Sequence, residues 1–163
     1  MTDTIVIFGA GATGRGHVGL LAWQAGFELV FVDRNRELVD ALRRRNRYTV
    51  RLCGAGSQVL DVSGYRVYDA ADRTRVAEEI RDATLVLTAV FDQNLADVAQ
   101  TIALGLAACA RTGRTAPLNC IACENMMDSS TQLGGHVRAL LGPEAQAWCD
   151  RFAGFPDCMI SRV

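Results

Sequence analysis

Apolar positions along the chain fall into two alternating patterns. Short runs with no polar face, Thr4 to Phe8 (TIVIF), Leu29 to Asp33 (LVFVD), Ala83 to Val90 (ATLVLTAV) and Pro117 to Cys123 (PLNCIAC), predict strands buried on both sides. Between them the apolar residues recur at helical spacing. Val18, Leu21, Ala22 and Ala25 make one stripe before Gly26, which stands where a helix end calls for positive φ. Leu38, Ala41 and Leu42 mark a second helix, whose end in the arginine cluster Arg43 to Arg47 suits the negative pole of the helix dipole. Val76, Ala77 and Ile80 predict a short helix, and Leu95, Val98, Ala99, Ile102 and Leu106 a long one. Ser129 to Gln132 has the Ser-x-x-Gln spacing of a capping box ahead of Leu133, Val137 and Leu140. Pro143 after Gly142 opens one more helix, to about Phe152, and Ile160 to Val163 reads as a closing strand.

Arg47 to Cys53 and Ser57 to Val62, around Gly54-Ala55-Gly56, predict a β-hairpin, with Tyr65 to Tyr68 as a further strand. Strands that alternate with helices imply an α/β fold, a doubly wound and mostly parallel sheet with helices on both faces, into which the hairpin is a small insertion. No internal repeat or linker-like stretch divides the chain, so residues 1–163 read as one domain.

Composition narrows the functions open to such a fold. The chain is 50% hydrophobic with a net charge of -1, which offers no broad basic footprint for nucleic acid or an anionic membrane. Its apolar runs fall far short of a bilayer span, and the N-terminus passes from Met1-Thr2-Asp3 straight into a strand with no leader pattern, so a cytoplasmic protein is expected. Six cysteines in a chain with ample core residues read as reduced, mostly buried thiols. All the basic residues are arginines. With no lysine present, a mechanism that needs a lysine amine has no candidate among these residues.

Gly9-Ala10-Gly11-Ala12-Thr13-Gly14 follows the first strand directly and leads into a helix, and Asp33 ends the second strand nineteen residues beyond Gly14. This is the context of the dinucleotide fingerprint of a Rossmann fold. Gly9 permits the tight turn, Gly11 lets the backbone approach a pyrophosphate, and Gly14 allows close packing of helix on sheet. Ala12 and Thr13 offer first-turn N–H groups to the phosphates. Asp33 would accept hydrogen bonds from a ribose diol and repel a 2′-phosphate, favouring NAD over NADP, with Arg34 and Arg36 beside it as counterweights. At the far side of the sheet, Glu124 and Asn125 leave the carboxyl end of a strand, where open α/β sheets bind ligands. Cys120 and Cys123 point to opposite faces of that strand and make poor joint metal ligands, so no metal site is expected. His17 and His136 lie on predicted helices, His17 next to the phosphate loop.

The stretches FGAGATGRGHVG and PLNCIACENMMDSSTQLGGHV, with the closing GFPDCMISRV, closely resemble the N-terminal cofactor domain of mannitol-1-phosphate 5-dehydrogenases, in the polyol-specific long-chain dehydrogenases. The resemblance implies NAD-linked oxidation of a polyol or polyol phosphate, of the mannitol 1-phosphate to fructose 6-phosphate type. It assigns Gly9, Gly11, Gly14 and Asp33 to the cofactor, with the loop at Ala89 and Val90, and places Asn125 of the C-E-N motif as the group that polarises the substrate oxygen. Phe91 stands where the family has a glycine. The family's catalytic lysine belongs to a helical C-terminal domain that these residues do not include. The expectation is therefore a cofactor half, inactive alone and exposing an apolar surface open to self-association. Two readings stand beside it: a free-standing dinucleotide-binding or redox-sensing module, and an S-adenosylmethionine-binding domain.

Overall fold

The computed structural model describes residues 3–53, 56–158 and 160. Six strands form one sheet in the order β5-β2-β1-β6-β7-β8, every pairing parallel: β1 (Thr4–Phe8), β2 (Glu28–Asp33), β5 (Arg66–Asp69), β6 (Leu85–Thr88), β7 (Leu118–Ala122) and β8 (Ala153–Gly154). The hairpin forms as expected, β3 (Arg47–Leu52) antiparallel to β4 (Gln58–Ser63), with Gly54 and Ala55 of its turn outside the described residues.

The absence of a polar face in the strands is explained by two cores. Val6, Phe8, Val30 and Val32 pack on one side with α3 (Arg73–Asp82), α4 (Leu95–Arg111), α5 (Ser129–Arg138) and α6 (Pro143–Phe152). Ile5, Ile7, Leu29 and Phe31 pack on the other with α1 (Leu20–Gln24), α2 (Arg36–Arg45) and the hairpin residues Val50 and Val62. Each such side chain stabilises the fold by about 1.5–3 kcal/mol relative to exposure. Cys120 belongs to the first core and Cys123 to the second, which is the opposed orientation expected of strand residues three apart. The described cysteines are free thiols, and Cys109, Cys120, Cys123 and Cys149 are buried.

Three local expectations are corrected. The segment Gly14–Gly19 ahead of α1 is wound with wide i→i+5 turns. The wider turn moves the inward face to Gly14, Val18, Gly19, Leu20 and Ala22, leaving Leu21 56% exposed and Ala25 exposed. Gly19 is needed there, because a Cβ would stand 2.8 Å from the Phe31 ring. The capping box at Ser129 does not form. Ser129 is already helical and donates its hydroxyl to the Ala122 carbonyl (3.1 Å), while Asp157, distant in sequence, accepts the N–H groups of Ser130 (2.8 Å) and Thr131 (3.0 Å). Leu140 lies beyond the end of α5 and is exposed. The closing strand is the short β8 instead: Ile160 is not extended into the sheet, and residues 161–163 lie outside the described set.

Candidate functional site

From β1 the chain moves outward through β2 to β5, then returns to the other side of β1 for β6, β7 and β8. This reversal opens a crevice above the carboxyl ends of β1 and β6, the position at which open α/β sheets hold ligands. Gly9 turns the chain there at φ +92°, its N–H donating to the Val32 carbonyl at 2.8 Å. A side chain on Gly9 would collide with the Ala89 carbonyl, and one on Gly14 with the Gly9 carbonyl. Both glycines are therefore fixed by backbone approaching backbone. Gly11 differs: nothing lies within 4 Å of the place a Cβ would occupy. The space above it is open, and the N–H groups of the first helical turn, at Ala12 and Thr13, have no intrahelical carbonyl within reach.

Asp33 does more than its position in the sequence suggested. Its Oδ2 accepts the Ala10 N–H (2.7 Å) and its Oδ1 the Asn35 N–H (2.8 Å), tying the glycine loop to the start of α2. The cap of α2 is Asn35, whose side chain accepts the Leu38 N–H at 3.2 Å. Asp33 and Arg34 line a cleft of about 200 Å³ with Gly9, Gly11, Ala89 and Val90. Across it the Arg34 guanidinium donates to the Asn94 side chain at 3.1 Å. Asn94, Asp97 and Phe91 complete the wall. Phe91 was noted from sequence beside the loop at Ala89 and Val90, whereas Asn94 and Asp97 were not; their signal was their place just after β6, the strand beside β1. Phe91 is 74% exposed at the edge of this cleft.

On the other arm of the crevice, Glu124 joins two strand ends. Its Oε1 accepts the Val90 N–H (2.7 Å) and the Thr88 hydroxyl (3.2 Å), so the loop after β7 braces the loop after β6. Burial raises its pKa above the ordinary carboxylate value, and these two hydrogen bonds oppose the rise. Asn125 follows it and is exposed. The Ser130 hydroxyl accepts the Ala122 N–H (2.9 Å), so both backbone groups of Ala122 are held by the first turn of α5. His17 is not part of the cleft lining. Its Nδ1 is buried in the Gly14–Gly19 segment without a hydrogen-bond partner among the described residues.

The family model for the mannitol dehydrogenase Rossmann domain matches residues 3–163. The chain belongs to that family. Among curated relatives of this mannitol dehydrogenase Rossmann domain is the mannitol-1-phosphate 5-dehydrogenase of Lactiplantibacillus plantarum, 39% identical over 159 residues. That match covers 97% of this chain and 41% of the relative, so the chain spans about two fifths of that enzyme's length. Among solved structures, octopine dehydrogenase in complex with NADH and agmatine superposes with a TM-score of 0.60 at 15% identity, covering 88% of this chain and 33% of that one. Glycerol-3-phosphate dehydrogenase of Coxiella burnetii gives 0.52 at 16% identity, covering 86% and 38%. At such identities the likeness is one of fold. No helix among the described residues of this Rossmann domain is long and apolar enough to cross a membrane.

Proposed function

We propose that this domain binds NAD(H) for hydride transfer to or from a polyol or polyol phosphate, in a cytoplasmic oxidoreductase. The observation that carries the reading is the open space over Gly11 at the crevice, beside first-turn N–H groups, because a pyrophosphate is the group that needs a backbone with no Cβ there. Gly9 and Gly14 shape the loop, and Ala12 and Thr13 supply N–H donors. The nicotinamide ring, when bound, supplies or accepts the hydride. Asp33 keeps a free lone pair on each carboxylate oxygen beyond its two backbone bonds, enough to accept ribose hydroxyls, and its charge selects against a 2′-phosphate. Arg34, drawn to Asn94, is held across the cleft. Ala89 and Val90 form the floor, and Glu124 keeps that floor in place. Asn125 donates its amide to the substrate oxygen, on which negative charge grows as hydride adds to the carbonyl or, in the reverse direction, as the hydroxyl gives up its proton.

A proton acceptor for the substrate hydroxyl is supplied outside these residues, which contain no lysine. Met127 is 76% exposed on the loop that carries Asn125, and with Phe91 it offers an apolar rim to a further domain or to a second copy of the chain. The test is thermal unfolding of the 163-residue chain with NADH, NADPH and S-adenosylmethionine in parallel, since a ligand that binds only the folded state raises its stability. Stabilisation by NADH above NADPH, with none by S-adenosylmethionine, is expected. Equal shifts with NADH and NADPH overturn the selectivity given to Asp33, and no shift with either overturns the cofactor reading. Turnover of mannitol 1-phosphate by this chain would contradict the assignment of the base to residues outside it.

A further inference from the structure

Four arginines converge on a groove behind the glycine loop, and none of them has a carboxylate within ion-pair distance among the described residues. Arg15 stands at the centre, one residue past Gly14. Its guanidinium lies 5.7 Å from the centre of the Tyr48 ring, and the Tyr48 hydroxyl donates to the Arg15 carbonyl at 3.0 Å. Arg45 comes from the end of α2, and Arg47 and Arg51 come from β3. The groove offers about 820 Å³ on the α2 side and about 280 Å³ beside Gly11 and Ala12, the two parts sharing Arg15, Tyr48 and Thr49 in their walls.

Among the described residues Arg34, Arg44, Arg111, Arg114 and Arg151 likewise lack an ion-paired carboxylate, and what sets the groove apart is that four such arginines line it together, whereas seven others are paired. Arg36 holds Asp69 at 3.0 Å, Arg66 holds Glu28 and Glu79, and Arg73 holds Asp97. Among the described residues no acidic side chain lines the groove. Asp61, the acid paired with Thr49 across the hairpin, accepts the Thr49 hydroxyl at 2.6 Å and is not part of the wall. Burial raises the pKa of Tyr48, so its phenol stays neutral and adds no negative charge. Guanidinium groups gathered without an anion repel one another, and a bound anion relieves that repulsion while receiving planar, bidentate donors.

We propose that this groove is a second phosphate site, which adjoins the place given to the cofactor's pyrophosphate at Gly11 and Ala12 and takes the phosphate monoester of a small ligand. It opens on the back of the loop whose front faces the cleft, and Gly11 belongs to both walls. A phosphate-bearing ligand seated there would lie next to the cofactor's own phosphates, with its uncharged end free to extend beyond the glycine loop. The chain itself then contributes to selecting a phosphorylated ligand.

The test titrates mannitol 1-phosphate, inorganic phosphate and mannitol into the 163-residue chain by calorimetry, with NADH measured separately. Binding of mannitol 1-phosphate but not mannitol is expected, weakening as salt is raised. Arg51→Gln lowers the phosphate affinity about tenfold or more, the loss typical of one charge-assisted contact, and leaves NADH affinity unchanged. Arg45→Gln on the opposite wall repeats the loss and serves if the first variant does not fold, while Arg111→Gln, distant on α4, has no effect. A stronger response to the ester than to inorganic phosphate identifies a polyol phosphate as occupant, and equal responses identify the bare phosphate group. Equal binding of mannitol and its phosphate, or unchanged affinity in both groove variants, overturns the site. Phosphate binding without NADH binding would retain the groove and remove the cofactor reading.

Discussion

Gly11 and Gly14 lie three residues apart, yet one faces open space and the other its own backbone. Gly11→Val adds a side chain where nothing stands within 4 Å, so stability should change by only about 0.5 kcal/mol, as for an ordinary surface substitution, while NADH binding is lost. Gly14→Ala drives a methyl group into the Gly9 carbonyl and should destabilise by about 1–3 kcal/mol, as overpacking does. Denaturant unfolding with and without NADH separates the two effects. Glu124 makes a prediction in pH. Its folded pKa is raised, so the folded state holds a proton that the unfolded chain has already released. Stability is therefore lost as pH climbs from the ordinary glutamate value through the raised one. Glu124→Gln, which keeps an acceptor for the Val90 N–H, should flatten that part of the profile. A decline of equal size in both proteins would show that another group is responsible.

Among the elements, α5 depends most on a residue outside itself. Asp157 accepts two first-turn N–H groups and the Thr131 hydroxyl, and these bonds hold its pKa below the ordinary value. The stabilisation is present above the unfolded aspartate pKa and is lost as pH falls through the lowered folded one. Asp157→Ala should lower the unfolding temperature at neutral pH and converge on the parent protein in acid. The same substitution loosens the loop that carries Glu124 and Asn125, visible as faster hydrogen exchange at residues 123–128. Here lies the limit of what the sequence disclosed. The strands other than β8, with α2, α3, α4 and the hairpin, were legible because their apolar period follows directly from burial. The cap of α5 was not, because a carboxylate more than twenty residues away displaced the local Ser-x-x-Gln pattern. The inward face of the first helical segment was misread because its wide turns break the 3.6-residue period. In the site, Gly9, Gly14 and Asp33 announced themselves by spacing, whereas Asn94 and the arginine groove depend on packing between distant segments.

At the scale of the molecule, one sheet serves two cores, and the hairpin is fastened to the second by aromatic contacts. Phe31, fully buried at the centre of β2, meets Tyr48 and Tyr65 edge to face at 5.9 and 5.5 Å. Phe31→Ala should destabilise by about 3–5 kcal/mol and free the hairpin, which would also weaken the proposed phosphate groove because Tyr48 and Arg51 form its wall. Chemical unfolding followed by tyrosine fluorescence, with phosphate titration of the folded fraction, checks both. Unfolding within about 0.5 kcal/mol of the parent would show that the aromatic cluster does not anchor the hairpin.

The central place of β1 also governs how the chain is made. β2 follows it closely, but β6, its other neighbour, is synthesised about 80 residues later, some 4–16 seconds at roughly 5–20 residues per second. During that interval one edge of a strand reading TIVIF has no partner and can pair with another nascent chain. The strand that later anchors the glycine loop is thus the one most in need of protection at the ribosome.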